Sequence, residues 1–232
     1  AWGSNELGQL GNGSHTSASS PTPVSELNGV VAVAAGNAHG LALLVDGRVF
    51  AWGADALGQL GDGGLVARHT PVEVASGIAR IRAGADSSIA ITPGRLVLAW
   101  GANASGQLGL GAGFTGNLVR PTGIAVDSVD AAAADSHLLV VASDGTVRGA
   151  GLNVAGEIGD GTKTARTTLT PAAGLTGMLS VAAGGKGYSL SLAASGPVYA
   201  WGDNTAEQLA NNSQPSAGTS TPTVVPGFDA IP

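Results

Sequence analysis

Cysteine is absent from the chain, which removes disulfides, thiol catalysis and every cysteine-based zinc site. Charge is scarce as well. Asp, Glu, Lys and Arg make up 11% of the 232 residues, against about 25% in an average soluble domain. Cations are the scarcer sign: ten Lys and Arg stand against sixteen Asp and Glu, a net charge of −6. No basic block exists that could displace counterions from phosphates, so no nucleic-acid partner is expected. Long apolar runs are also missing. Residues 41–45 and 138–142 are among the longest, far short of the roughly 20 that a spanning helix needs, and no membrane insertion is expected. The chain opens on Ala1-Trp2-Gly3 without an initiator Met or a signal peptide, and reads as a piece of a longer polypeptide. The compartment stays open, with a secreted or cell-surface bacterial location preferred to a cytoplasmic one.

What the chain does have is glycine, 38 residues of it, and 44% hydrophobic residues. That composition argues against a helical bundle and against disorder, and fits an all-β protein with many turns. An internal repeat then dominates the reading. Ala1-Trp2-Gly3 recurs as Ala51-Trp52-Gly53, Ala99-Trp100-Gly101 and Ala200-Trp201-Gly202, with a decayed copy at Gly149-Ala150-Gly151, spaced 48 to 51 residues apart. Behind each copy comes a loop: Gly8-Gln9-Leu10-Gly11, Gly58-Gln59-Leu60-Gly61, Gly106-Gln107-Leu108-Gly109, Gly156-Glu157-Ile158-Gly159, and finally Glu207-Gln208-Leu209-Ala210. An Ala-Gly pair ahead of a short apolar run marks a third position, at Ala35-Gly36, Ala83-Gly84 and Ala183-Gly184.

Each unit reads as four strands. In the first full unit, residues 30–35 and 40–45 are apolar runs of strand length. Asp46-Gly47 gives a hairpin turn into residues 48–53, and residues 70–74 make a fourth strand whose Pro71 suits a sheet edge. Asp144-Gly145 and Ser195-Gly196 repeat the turn, and Pro93-Gly94 is a variant of it. The second strand is apolar throughout, so both its faces need cover. Four-stranded antiparallel sheets buried on both faces and repeating every ~50 residues describe the blades of a β-propeller.

The run Ala-Gly-x-x-His-x-Leu-Ala-Leu at 35–43, the Asp-Gly turn, the Ala-Trp-Gly strand and the Gly-Gln-Leu-Gly loop together resemble the regulator of chromosome condensation repeat family, over nearly the whole chain. The resemblance implies a β-propeller, commonly of seven blades, that serves as a protein-binding platform. Its best-known eukaryotic members exchange nucleotide on a small GTPase and bind chromatin, and similar bacterial members include secreted inhibitors of β-lactamases. The units fall at about 1–50, 51–98, 99–148, 149–199 and 200–232, as one propeller domain or segment. Four repeats are complete. The terminal pieces would form a partial blade without its second strand, so the chain is a fragment of a larger propeller or an incomplete five-bladed ring. Open edges of either kind are expected to drive self-association.

Chemical sites are sparse. The glycine turns at 11–13, 109–111 and 159–161 lack the Lys-Ser/Thr of a phosphate loop and read as repeat-linking turns. No Gly-x-Ser-x-Gly elbow or His-Glu-x-x-His helix occurs. Asp127, Asp130, Asp135 and His137 are the densest potential ligands but follow no coordinating pattern. Asn12, Asn103 and Asn211 each begin a glycosylation sequon. No enzyme activity, cofactor or metal is expected. Trp2, Trp52, Trp100 and Trp201 are read as inter-blade packing, Gln9, Gln59 and Gln107 as ties within their loops, and His39 and His137 as residues bonded to a neighbouring loop. The loops joining strands one to two and three to four share a face. That face would present Asn37, Asp86, Asp135 and Lys186 with Asp55, Asn103, Asn153 and Asp203 to an unidentified protein partner, positions that vary over a constant scaffold. A guanine-nucleotide exchange factor and a secreted enzyme inhibitor are the alternatives.

Overall fold

Strands alternate with tight turns throughout the computed structural model, which describes residues 1–114, 116–185, 187–211 and 218–228. No helix occurs among the described residues. Two compact units emerge, one of residues 1–102 with 116–125 and one of residues 103–115 with 126–232.

In the first unit, β1 (Val30–Ala35), β2 (His39–Leu44), β3 (Val49–Gly53) and β4 (Arg68–Ala75) form an antiparallel meander in that order. A second meander runs through β5 (Arg80–Ala83), β6 (Ser87–Ile91), β7 (Leu96–Gly101) and the first half of β8 (Leu118–Ala133). The second unit begins its sheet with the other half of β8, followed by β9 (His137–Ala142), β10 (Val147–Gly151) and β11 (Arg166–Pro171). Its last sheet is β12 (Met178–Gly184), β13 (Tyr188–Ala193), β14 (Val198–Gly202) and β15 (Thr219–Val224). These are the four expected blades. Ahead of β1, the N-terminal segment forms no named strand; a Gly3–Ala18 bridge, the Ala1–Thr22 backbone bond and the Ser25–Gly11 bond tie it together. The closing strand expected near residues 228–231 lies almost wholly outside the described residues.

Two details depart from the sequence reading. The outer strand of the second blade and the inner strand of the third are one 16-residue strand, β8, rather than two. Elsewhere that junction is broken by Gly77, or by Gly174 and Gly177, all at positive φ; residues 124–133 contain no such residue. At the Pro93-Gly94 variant turn, the positive φ falls on Arg95 (67°) instead of the glycine.

The second strand of each of the first three blades, β2, β6 and β9, is buried at every position. In the first unit Leu41, Val49, Leu60, Ile78, Ile81 and Trp100 pack together. In the second, Leu139, Val141, Val147, Leu175, Met178 and Trp201 do. In the last blade β13 is buried less completely, with Leu192 exposed, and on β1 Val31 and Val33 are exposed, Val33 to 73%. Beside β1 a groove of about 750 Å³ runs between the N-terminal segment and the first blade, lined by Trp2, Leu10, Val24, Val33 and Trp52.

Candidate interaction face

The loop after each third strand is closed by its own side chains. Asn5, Asp55, Asn103, Asn153 and Asn204 occupy one register, two residues after each Gly of the Trp-Gly pair. The Oδ1 of each accepts the N–H of the residue five places on: Leu10, Leu60, Leu108, Ile158 and Leu209, at 2.9–3.0 Å. The Gln side chains accept an N–H two residues back, Leu7 to Gln9, Leu57 to Gln59 and Ser105 to Gln107, each at 2.9 Å. Glu157 does the same for Ala155. The glycine turns offer no anion nest, because the N–H groups of Gly13, Gly63, Gly111 and Gly161 are spent on strand carbonyls.

Beneath the loops lies a repeated junction. Trp52 Nε1 donates to the Gln9 carbonyl (3.0 Å), Trp100 to that of Gln59 (3.0 Å) and Trp201 to that of Glu157 (2.7 Å). The indoles lie against Gly11, Gly61 and Gly159, where a Cβ would stand 2.6–2.8 Å from the ring. That approach is why glycine follows Gln-Leu in the motif. Ser88 Oγ also donates to the Gln59 carbonyl and Ser189 Oγ to that of Glu157 (2.7 and 2.8 Å). His39 Nε2 meets Ser88 Oγ at 2.9 Å and His137 Nε2 meets Ser189 Oγ at 3.0 Å. Because each hydroxyl proton is committed to the carbonyl, Nε2 must be the protonated ring nitrogen. Both histidines are buried, and burial pushes each pKa down to about 4. They are therefore neutral at pH 7 and face the interior.

One junction is built differently. Ala150 replaces the tryptophan, its cross-strand partner is Leu138 where other blades have Gly40, Ser88 or Ser189, and Leu169 replaces the proline found at 71, 121 and 222. Leu169 and Ala150 both come within 3.3 Å of where a Gly109 Cβ would stand. Trp2 differs too. It is 67% exposed instead of packed.

The expected face divides accordingly. In the first unit Asn37 is exposed, and its N–H donates to Ala85 O (2.9 Å), which sets the β1–β2 turn beside half-buried Asp86. Asp86 Oδ1 accepts from Gln59 Nε2 at 3.4 Å. In the second unit Asp135 is exposed above Gly185, and Asp203 is half-buried with its Oδ2 bonded by Thr205 Oγ1 and Gln208 Nε2. Lys186 lies outside the described residues. Asp55, Asn103 and Asn153 are not on the surface: all three are buried, since their oxygens hold the loop backbone. The signal was present in the chain as constancy. These positions align with Asn5 and Asn204, which the sequence reading passed over, whereas Asp203 sits one residue out of that register.

Among the described residues no group of three His, Cys, Asp or Glu is placed to hold a metal. Asp130 Oδ2 accepts the Val181 N–H and His137 turns to Ser189, which disperses the acidic cluster. Of the sequons, Asn103 is buried, Asn12 Oδ1 is occupied by Ser14, and the third runs beyond the described residues.

Residues 1–43 and 46–91 match the model of the regulator of chromosome condensation (RCC1) repeat, and residues 30–59 a second model of the same repeat. No curated protein sequence matches the chain. Among solved structures, Prp20p from Saccharomyces cerevisiae is similar at 25% identity and a TM-score of 0.76, over 88% of this chain and 51% of that one. Prp20p binds Gsp1p and histones. Human WBSCR16 is similar at 24% identity and a TM-score of 0.82, over 97% of this chain and 60% of that one. The chain thus spans only half to three-fifths of these relatives' lengths. Residues 1–91 thus carry RCC1 repeats, and the order and four-stranded blades of the chain make it a β-propeller segment similar in fold to these structures.

Proposed function

We propose that the chain is a non-enzymatic module that binds a protein partner through the β1–β2-type turns of its blades, with Asn37 and Asp86 in the first unit and Asp135 in the second, joined there by Asp203 of the β14–β15 loop. The observation that carries the reading is the contrast between these turns and what lies under them. The Trp–carbonyl–Ser–His junction is repeated, while the exposed turn residues above it change from blade to blade. Prp20p, a protein with such repeats, binds protein partners, which supports the same class of role here. The exposed side chains are carboxylates and amides, so the partner surface should be rich in Arg, Lys and hydrogen-bond donors.

A photo-crosslinking residue at Asn37 or Asp135, compared with one at Asp46 or Asp144 in the β2–β3-type turns, tests this. Crosslinks to a discrete protein at the first pair and not at the second are expected. Equal labelling at both, or none at 37 and 135, refutes the assignment. Nucleotide exchange is a second reading, favoured by the likeness to Prp20p, which binds Gsp1p. Release of a fluorescent guanine nucleotide from a small GTPase separates it from simple binding, and no acceleration is expected.

A further inference from the structure

Four loop copies carry Asn in the register that the second copy fills with Asp55. In the Asn copies the amide works at both ends. Oδ1 accepts a backbone N–H, while Nδ2 donates outward: Asn5 Nδ2 to Ser14 O (2.9 Å), Thr16 O (3.1 Å) and Asn12 Oδ1 (3.3 Å), and Asn153 Nδ2 to Thr164 O (3.0 Å), Thr162 O and Asp160 Oδ1 (both 3.2 Å). The pocket around Nδ2 is therefore made of acceptors. Asp55 performs the first half, accepting the Leu60 N–H at 2.9 Å. Its Oδ2 takes the place of the amide nitrogen, yet it is buried, in a residue only 1% exposed, and meets no donor.

The neighbour on that side is Asp62, in register with Asn12 and Asp160. Asp62 is already committed as an acceptor. Its Oδ1 takes the Gly64 N–H (2.8 Å) and its Oδ2 takes Arg68 Nε and Nη2 (2.7 and 2.6 Å). We propose that Asp55 carries a proton in the folded chain and donates it to Asp62, so that a pH-sensitive latch holds the 62–68 loop closed. The proton does what the amide NH2 does in the Asn copies. A metal ion fits poorly, since both Asp62 oxygens already receive donors.

The charged groups facing Asp55 are Asp62 and, from β4, Arg68; Arg120 of β8 lies against Gly63 in the same loop. Burial pushes the Asp55 carboxyl up and the Asp62 charge adds to this, against the Leu60 hydrogen bond and Arg68, to a pKa of about 6. Burial opposes ionisation of Asp62 as well, but Gly64, Arg68 and the Asp55 hydrogen bond hold it below the usual carboxylate range. A folded-state pKa above the value in the opened loop means that closure is tightest below about pH 4 and weakens as pH rises through about 6. The loop displays Leu65 and Val66, both exposed, so the proton governs how firmly two apolar side chains are presented. This holds whether or not the blade turns bind a partner.

Carboxyl NMR titration with amide hydrogen exchange on the intact chain tests the latch. Asp55 should titrate near pH 6, and protection of the Leu60 and Gly64 amides, corrected for intrinsic rate, should fall roughly 100-fold between pH 4 and pH 7. Asp55→Asn, the residue of the other four copies, should give a flat protection profile. Asp62→Asn, which removes the neighbouring charge and supplies a donor, should lower the Asp55 midpoint while burial keeps it above the free value. An Asp55 midpoint near 4 in the native chain overturns the proposal, as does an unchanged pH dependence in Asp55→Asn.

Discussion

Ala150→Trp would restore the one missing tryptophan of the described third strands, and the surrounding residues say what it must displace. In the normal junction the indole lies on a glycine, opposite Gly or Ser across the strand pair, in a blade whose fourth strand carries a proline. At Ala150 those partners are Leu138, fully buried, and Leu169, packed toward Gly109. The single substitution therefore overpacks and should cost about 1–3 kcal/mol. Leu138→Ser alone removes a buried leucine and should cost about 2–5 kcal/mol. Combined with Ala150→Trp and Leu169→Pro, the same serine regains its role: hydroxyl and indole can both donate to the Gln107 carbonyl, as at Gln59 and Glu157. The triple variant should lie within about 1 kcal/mol of the native chain, a coupling of several kcal/mol by comparison with the sum of the singles. Trp201→Ala, at about 3–5 kcal/mol, sets the scale, and Trp2→Ala should cost almost nothing because Trp2 is exposed. Urea midpoints of the full set measure this. If Ala150→Trp is neutral alone, or the three changes add within about 0.5 kcal/mol, the slot is not shared and the reasoning fails.

Acid should weaken the fold before ordinary carboxylates titrate. His39 and His137 have folded pKa values near 4 against 6.5, so the unfolded chain binds protons first; their stabilisation is complete above pH 6.5 and lost as pH falls toward 4, about 3 kcal/mol for each. Asp55 acts with the opposite sign over an overlapping range. Urea midpoints from pH 7 to 4 should therefore be taken in the Asp55→Asn background, where a flat profile would exclude the histidine junctions as the cause. The chain should also self-associate through the exposed Val31, Val33 and Trp2 of the first unit. Light scattering should show Val33→Lys reducing association, and a strictly monomeric native chain would sink that expectation.

Local pattern determined a good deal of this molecule by itself. The Trp-Gly and Gly-Gln-Leu-Gly spacings gave strand, turn and blade because each answers to short-range physics: period, positive-φ glycine and apolar runs that need cover on both faces. The Asn of the loop was equally legible as a constant, and was misread only because Asp55 and the neighbouring Asp203 disguised the register. Other features depended on which residues meet across the fold. Trp100 looks like Trp2 in sequence, but its indole finds the Gln59 carbonyl, 41 residues away, while that of Trp2 is exposed. His39 is tied by a serine 49 positions on, and Leu138 and Leu169 read as ordinary strand residues until Ala150 is seen between them. The unbroken β8 and the donorless Oδ2 of Asp55 belong to the same class. Periodicity is written residue by residue. Burial and hydrogen-bond complementarity are properties of pairs distant in sequence, and only the folded chain brings those pairs together.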